Sequence, residues 1–148
     1  MNKRTFLKLA SGSLASLALP NALAMQSNTT RISDKYAVVF FFLSTCSECH
    51  KFSPKMRQLQ ALMGIPVYDF SIDGKPIPDF PRPMSVDQQI YGTFFPSRQE
   101  TNAVPATFLI NVNTVKFVRM TIGDVSYEQL NQSFNNILND REVLLAME

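Results

Sequence analysis

The apolar positions of the chain fall into two kinds of run. Residues 36–43 are an unbroken block, Tyr-Ala-Val-Val-Phe-Phe-Phe-Leu, rich in β-branched and aromatic side chains. Such a block suits a strand buried on both faces, in the middle of an α/β sheet. Directly afterwards the period changes. Cys49, Phe52, Met56, Leu59 and Met63 recur at steps of three and four, the stripe shown by one buried face of a helix. Gly64 supplies the stop. Residues 66–72 read as a second strand, and a strand–helix–strand of this length implies a parallel crossover.

The second half alternates faster. Residues 73–85 hold four prolines (76, 78, 81 and 83) and one glycine, which predicts an irregular or extended loop, read as a surface insertion. Ser85 with Gln88 makes a capping-box pattern for a short helix through about residue 91. Residues 107–112 and 115–122 read as strands joined in a hairpin at Asn113-Thr114. Gly123-Asp124 breaks the second of them. Ser126 with Gln129 caps a last helix, whose apolar face is Leu130, Phe134, Ile137 and Leu138. The order is β-α-β-α-β-β-α. It forms one domain over residues 36–140, with 141–148 as a tail or a helix extension.

Composition agrees with a globular domain: 148 residues, 45% apolar and 18% charged. The charge is uneven. Residues 1–24 carry three of the 14 basic residues (Lys3, Arg4, Lys8) and no acid, leaving 11 bases against 12 acids in the rest. No basic surface for nucleic acid survives that division. The same 24 residues have the order of a secretory signal: a basic start, an apolar stretch over 9–19, Pro20, then Ala22-Leu23-Ala24 as a cleavage site. The apolar stretch is about half of the ~20 residues a membrane helix needs. Lys3-Arg4-Thr5-Phe6-Leu7-Lys8 also resembles a twin-arginine signal with Lys in place of the first Arg, so the Sec and twin-arginine routes both stay open. Residues 25–35 form a short leader. Two cysteines cannot staple a small scaffold, but an oxidising compartment such as the periplasm is where a cysteine pair forms a disulfide.

Those two cysteines lie in Cys46-Ser47-Glu48-Cys49-His50. Cross-linking so short a loop restricts the unfolded chain little, so the pair makes more sense as reversible chemistry. Cys46 falls where a strand ends and a helix begins, where free N–H groups and the helix dipole favour a thiolate. Cys49 heads the buried stripe one turn on. This predicts an accessible attacking thiol at Cys46, a shielded resolving thiol at Cys49, and a disulfide between them. His50 and Glu48 are candidate tuning residues, the first favouring a thiolate when protonated and the second opposing it. The same five residues also fit the C-x-x-C-H attachment site of a c-type haem with His50 as axial ligand. A metal site on Cys46, Cys49 and His50 lacks a clear fourth ligand. The preferred reading needs no metal and no cofactor.

A strand leading into C-x-x-C at a helix start, Pro54 five residues after Cys49, and Val104-Pro105-Ala106-Thr107-Phe108 opening a later strand together resemble the thioredoxin fold. The fold class is then α/β, a central mixed sheet flanked by helices. The resemblance implies that Pro105 is cis beside the cysteine pair and that the backbone at Val104 pairs with an extended substrate. Cys46-Ser47-Glu48-Cys49-His50-Lys51-Phe52, Thr93-Phe94-Phe95-Pro96 and the run from Pro105 to Thr114 resemble TrbB-type thiol–disulfide isomerases of F-type conjugative transfer systems. That resemblance implies a periplasmic isomerase. Its partners would be exported cysteine-containing proteins of a conjugative pilus or secretion apparatus, and a membrane redox partner.

Three departures bear on direction. Thioredoxin has a buried Asp six residues before its first active-site cysteine, and Phe40 stands there in this chain, leaving water or Glu48 to take the Cys49 proton. Val104 stands where secreted isomerases often carry Thr, which keeps a disulfide oxidase or reductase of the same fold open. The 11-residue leader is too short for a separate dimerisation domain. A non-catalytic assembly factor, using the Pro-rich loop or residues 93–96 as a contact surface, is the remaining alternative.

Overall fold

The apolar block folds as strand β1 (Tyr36–Phe42), with every residue buried. The computed structural model describes residues 31–97 and 103–148. The expected signal 1–24 lies outside them. The described part of the leader includes a one-turn helix, α1 (Ile32–Lys35). After β1 come α2 (Ser47–Met63), β2 (Val67–Ser71), β3 (Met84–Ser85), α3 (Gln88–Phe94), β4 (Ala106–Asn111), β5 (Phe117–Ile122), α4 (Tyr127–Asn139) and α5 (Arg141–Ala146).

The strands form one mixed sheet in the order β3-β2-β1-β4-β5. β1 runs parallel to β2 and antiparallel to β4, and β5 returns antiparallel to β4. β1 and β4 are central, and β4 is buried along its whole length. Because side chains alternate, β1 feeds two cores. Val38, Phe40 and Phe42 join Cys49, Phe52, Met56 and Leu59 of α2 and Leu130, Phe134 and Ile137 of α4. Ala37, Val39 and Phe41 join Phe94, Phe95 and Phe108 on the other face. Both cores are aromatic. The Phe41 ring lies 5.1–5.9 Å from Phe70, Phe94, Phe95 and Phe108, a spacing at which aromatic pairs attract beyond simple burial.

The stripe on α2 buries as its period implies, with Met63 packed at the rim. Gly64 ends the helix in the left-handed region (φ 61°), where its N–H reaches the Gln60 carbonyl at 3.0 Å. The Ser126 and Gln129 capping box on α4 is present. Lys55 ties α2 to the turn before α4 by donating to Asp124 at 2.6 Å and to the Val125 carbonyl at 2.8 Å.

Four expectations need correction. The 73–85 segment is irregular and mostly exposed, as expected, but it is more than a surface insertion: Ile77 and Phe80 are 2% and 1% exposed, and Met84 and Ser85 add a short parallel edge to β2. Ser85 does not cap α3, because it is paired in that edge. Asp87 caps instead, accepting from the Ile90 N–H at 2.7 Å, and α3 runs on to Phe94. The hairpin turn is wider than Asn113-Thr114, because Val115 takes φ 62° and the strands part at Asn111 and Phe117. Finally, residues 140–148 do not extend α4. The Asp140 carboxylate accepts from the N–H groups of Glu142 and Val143 and starts a separate helix, α5. Among the described residues no helix is long and apolar enough to cross a membrane.

Candidate active site

The site lies where β1 ends and α2 begins. Cys46 is the N-cap of α2 in an extended conformation, half-buried, and Cys49 is fully buried one turn on. The two are joined as a disulfide. The Cys49 N–H points at the Cys46 sulfur from 3.1 Å. That donor, together with the helix dipole, would stabilise negative charge on Cys46 once the bridge is opened. The sulfur of Cys46 also lies 3.8 Å from the Val104 carbonyl oxygen. The Val104-Pro105 peptide is cis, Pro105 is buried, and its carbonyl accepts from Gly123 N–H at 2.8 Å, which fixes this turn to the end of β5. Residues 46 and 104, 58 positions apart, are brought together because β1 and β4 are neighbours in the sheet.

The two tuning candidates sit differently. Glu48 is exposed and pairs with Lys51 at 3.2 Å, three residues on, so part of its charge is offset within the helix. His50 turns its ring back over the strand–helix turn, and its Nε2 donates to the Ser44 carbonyl at 2.7 Å. That bond occupies the nitrogen a haem iron would need. Among the described residues no group of three His, Cys, Asp or Glu side chains is arranged to hold a metal. Phe40 is fully buried, with Phe42, Phe52 and Phe80 rings at 5.1–5.7 Å, so the strand offers Cys49 no proton acceptor there. Opposite it in register on β2 is Asp69, whose carboxyl is pushed up by burial against the opposing pull of Arg57.

Sequence reasoning missed Ser44, Ser53, Asp73 and Asp79. Asp73 accepts from the Ser44 hydroxyl and, at 3.3 Å, from the Ser44 N–H. The Ser71 hydroxyl (2.8 Å) and Lys75 N–H (3.4 Å) complete its shell. Burial alone would raise the Asp73 carboxyl. The bonds from Ser44, Ser71 and Lys75 outweigh it and hold the group at about 2. On α2 the Ser53 hydroxyl is 2.6 Å from Asp79 and 3.2 Å from the His50 carbonyl, the carbonyl that Pro54 leaves without its helical donor. The one available signal was Asp73-Gly74, a turn pair whose side chain binds backbone two residues on. In the run 93–96, Phe94 and Phe95 are 9% and 4% exposed and pack in the core, while Thr93 and Pro96 are exposed.

A buried and a half-buried cysteine at the head of a helix, beside a cis-proline turn at the start of a neighbouring strand, define a thioredoxin-fold protein with the C-x-x-C pair of thiol–disulfide oxidoreductases. The chain belongs to the TraF family, described as F plasmid transfer operon protein, which it matches over residues 21–135. It is 35% identical over 88 residues to Protein TrbB of Escherichia coli (strain K12), an alignment covering 60% of this chain and 48% of TrbB. The chain therefore spans about half the length of that relative. In shape it is similar to the thioredoxin domain of a thiol–disulfide oxidoreductase from Bacteroides vulgatus, with TM-score 0.49 and 17% identity over 73% of this chain and 82% of that one. StoA from Bacillus subtilis is similar with TM-score 0.47 and 16% identity, over 68% and 82% of the two chains.

Proposed function

We propose that the protein is an exported, periplasmic disulfide isomerase serving components of a conjugative pilus or transfer apparatus. The observation that carries this reading is the asymmetry of the cysteine pair. Cys46 reaches the surface under the Cys49 N–H, and Cys49 is sealed in the core. Reduced Cys46, as thiolate, attacks one sulfur of a substrate disulfide and expels the other as a thiolate. A different substrate cysteine then displaces Cys46, giving a rearranged disulfide and the enzyme as it began. If the mixed disulfide stalls, Cys49 attacks Cys46 instead. The substrate is then left with two thiols and the enzyme with its own disulfide, which a membrane reductant must reopen. The Val104 backbone, beside Cys46, is the edge along which an extended substrate chain would lie.

Val104 before Pro105 favours a second reading, in which the oxidised pair donates its disulfide to folding proteins. The steady-state redox form separates the two: a pair found mostly reduced in the compartment supports the isomerase, and one mostly oxidised supports the oxidase. The exchange reading itself is tested by trapping. Cys49→Ser should accumulate mixed disulfides with exported proteins, and Cys46→Ser should accumulate none. A wild-type protein that neither reduces insulin nor reactivates scrambled ribonuclease, with both variants trapping nothing, would sink it.

A further inference from the structure

The Pro-rich segment grips the turn before the redox helix at one point and the helix itself at another. Just past β2, the Asp73 carboxylate holds both donors of Ser44, the residue that leads into the Cys46 turn. The Ser44 carbonyl then accepts from the His50 ring. Six residues further on, Asp79 holds the Ser53 hydroxyl, which also faces the His50 carbonyl. His50 thus touches both gripped serines, its ring on the Ser44 carbonyl and its own carbonyl facing the Ser53 hydroxyl. Along the chain, Cys46 and Cys49 lie between the two gripped serines.

The grip is itself anchored. Phe80, 1% exposed, sets its ring 5.1 Å from Phe40. The Arg57 guanidinium lies 4.1 Å over the Phe80 ring and donates to the Asp79 carbonyl, with Nε at 2.7 Å. Ile77 and Phe80 exchange main-chain hydrogen bonds at 3.0 and 3.3 Å. A loop held this firmly can fix the angle between a strand end and a helix start.

We propose that Asp73 and Asp79 are positioning residues for Cys46, holding the β1–α2 turn and the first two turns of α2 so that the Cys49 N–H stays aimed at the Cys46 sulfur. The purpose of this clamp rests on the thiol-exchange reading. Its test does not.

Two effects of opposite sign make it decidable. A carboxylate near a thiol disfavours the thiolate, so Asp73 acting through charge alone would raise the Cys46 titration midpoint, and its removal would lower it. Acting through position, its removal weakens the N–H contact and raises the midpoint. The readout is the pH dependence of iodoacetamide alkylation of the full chain in a Cys49→Ser background, where Cys46 is the sole thiol. Asp73→Ala should raise the midpoint by about one pH unit, a tenfold loss of thiolate below it, and Asp79→Ala roughly half as far. With both cysteines present, the same variants should equilibrate with glutathione buffers as more reducing pairs. Asp73→Asn keeps one acceptor oxygen and loses the charge, and its midpoint should stay at or below that of the parent. A folded Asp73→Ala whose midpoint is unchanged or lower overturns the proposal. Should that variant not fold, Ser44→Ala decides: a smaller rise supports the clamp, and no rise overturns it. Failure of the parent protein on insulin counts against the exchange reading alone, because alkylation needs no disulfide substrate.

Discussion

The two ends of the central sheet use the same device for different ends. At the end remote from the cysteines, Asn111 and Thr114 capture the main-chain carbonyl of Met147 at 2.9 and 2.6 Å, and Lys116 takes that of Glu148 at 2.6 Å. What is fixed there is a plug: Met147, 2% exposed, fills the core beneath α5. At the redox end, Asp73 and Asp79 capture Ser44 and Ser53, and what is fixed is the direction of an N–H toward a sulfur. Polar side chains catch a passing segment in both places. The first catch should therefore register in stability, and the second in thiol chemistry.

The largest expected effect breaks the comparison outright. Cys46→Ser should reduce insulin reduction and ribonuclease reactivation to background, with the fold retained by far-UV circular dichroism. Next in size is Phe80→Ala, which removes a fully buried ring shared by the clamp and the core. Its cost should be about 3–5 kcal/mol in chemical denaturation. A surface insertion would tolerate that change within about 0.5 kcal/mol, so a small value would show the segment to be free of the core.

Phe80 also marks the limit of what the sequence discloses. β1, the α2 stripe, the Gly64 stop and the Ser126 cap are legible because each depends on neighbours within about a turn. Cys46, Cys49, Val104 and Pro105 could be named from spacing and resemblance. The clamp could not. Asp73 meets Ser44 across 29 positions and Asp79 meets Ser53 across 26, and neither local period nor turn chemistry reports such pairs. Proline density told only half: it rightly forbids regular structure over most of the segment, but it does not prevent Ile77 and Phe80 from entering the core. The Asp140 and Val115 departures share another cause, a single residue choosing its backbone conformation against the run around it.

Asn111→Ala sharpens the comparison from the far end. Asn111 is fully buried, and its side chain both donates to Met147 and accepts from the Asn113 N–H at 3.0 Å. Losing it should cost about 1–3 kcal/mol of stability. The alkylation midpoint of Cys46 should stay where it is. A shifted midpoint would mean that the two ends are coupled through the sheet, and that the division drawn between them fails.

The smallest effect is electrostatic and belongs to the redox end alone. Asp73 has a folded-state value of about 2, below its ordinary 3.8, because Ser44, Ser71 and Lys75 donate to the ionised form. A carboxyl depressed in this way adds stability that is fully present above its unfolded value and is lost as pH falls through its folded value. The thermal midpoint of the parent minus that of Asp73→Asn should therefore be level from neutral pH down to about 5, then close between about 4 and 2. Solvent screens this exposed group, so the gap is small, and added salt should narrow it further. The corresponding difference for Asn111→Ala has no reason to close across that window, because neither Asn111 nor the Met147 carbonyl takes up a proton there. A gap that closes equally in both variants would trace to general acid unfolding, and the depressed Asp73 would then have no part in it.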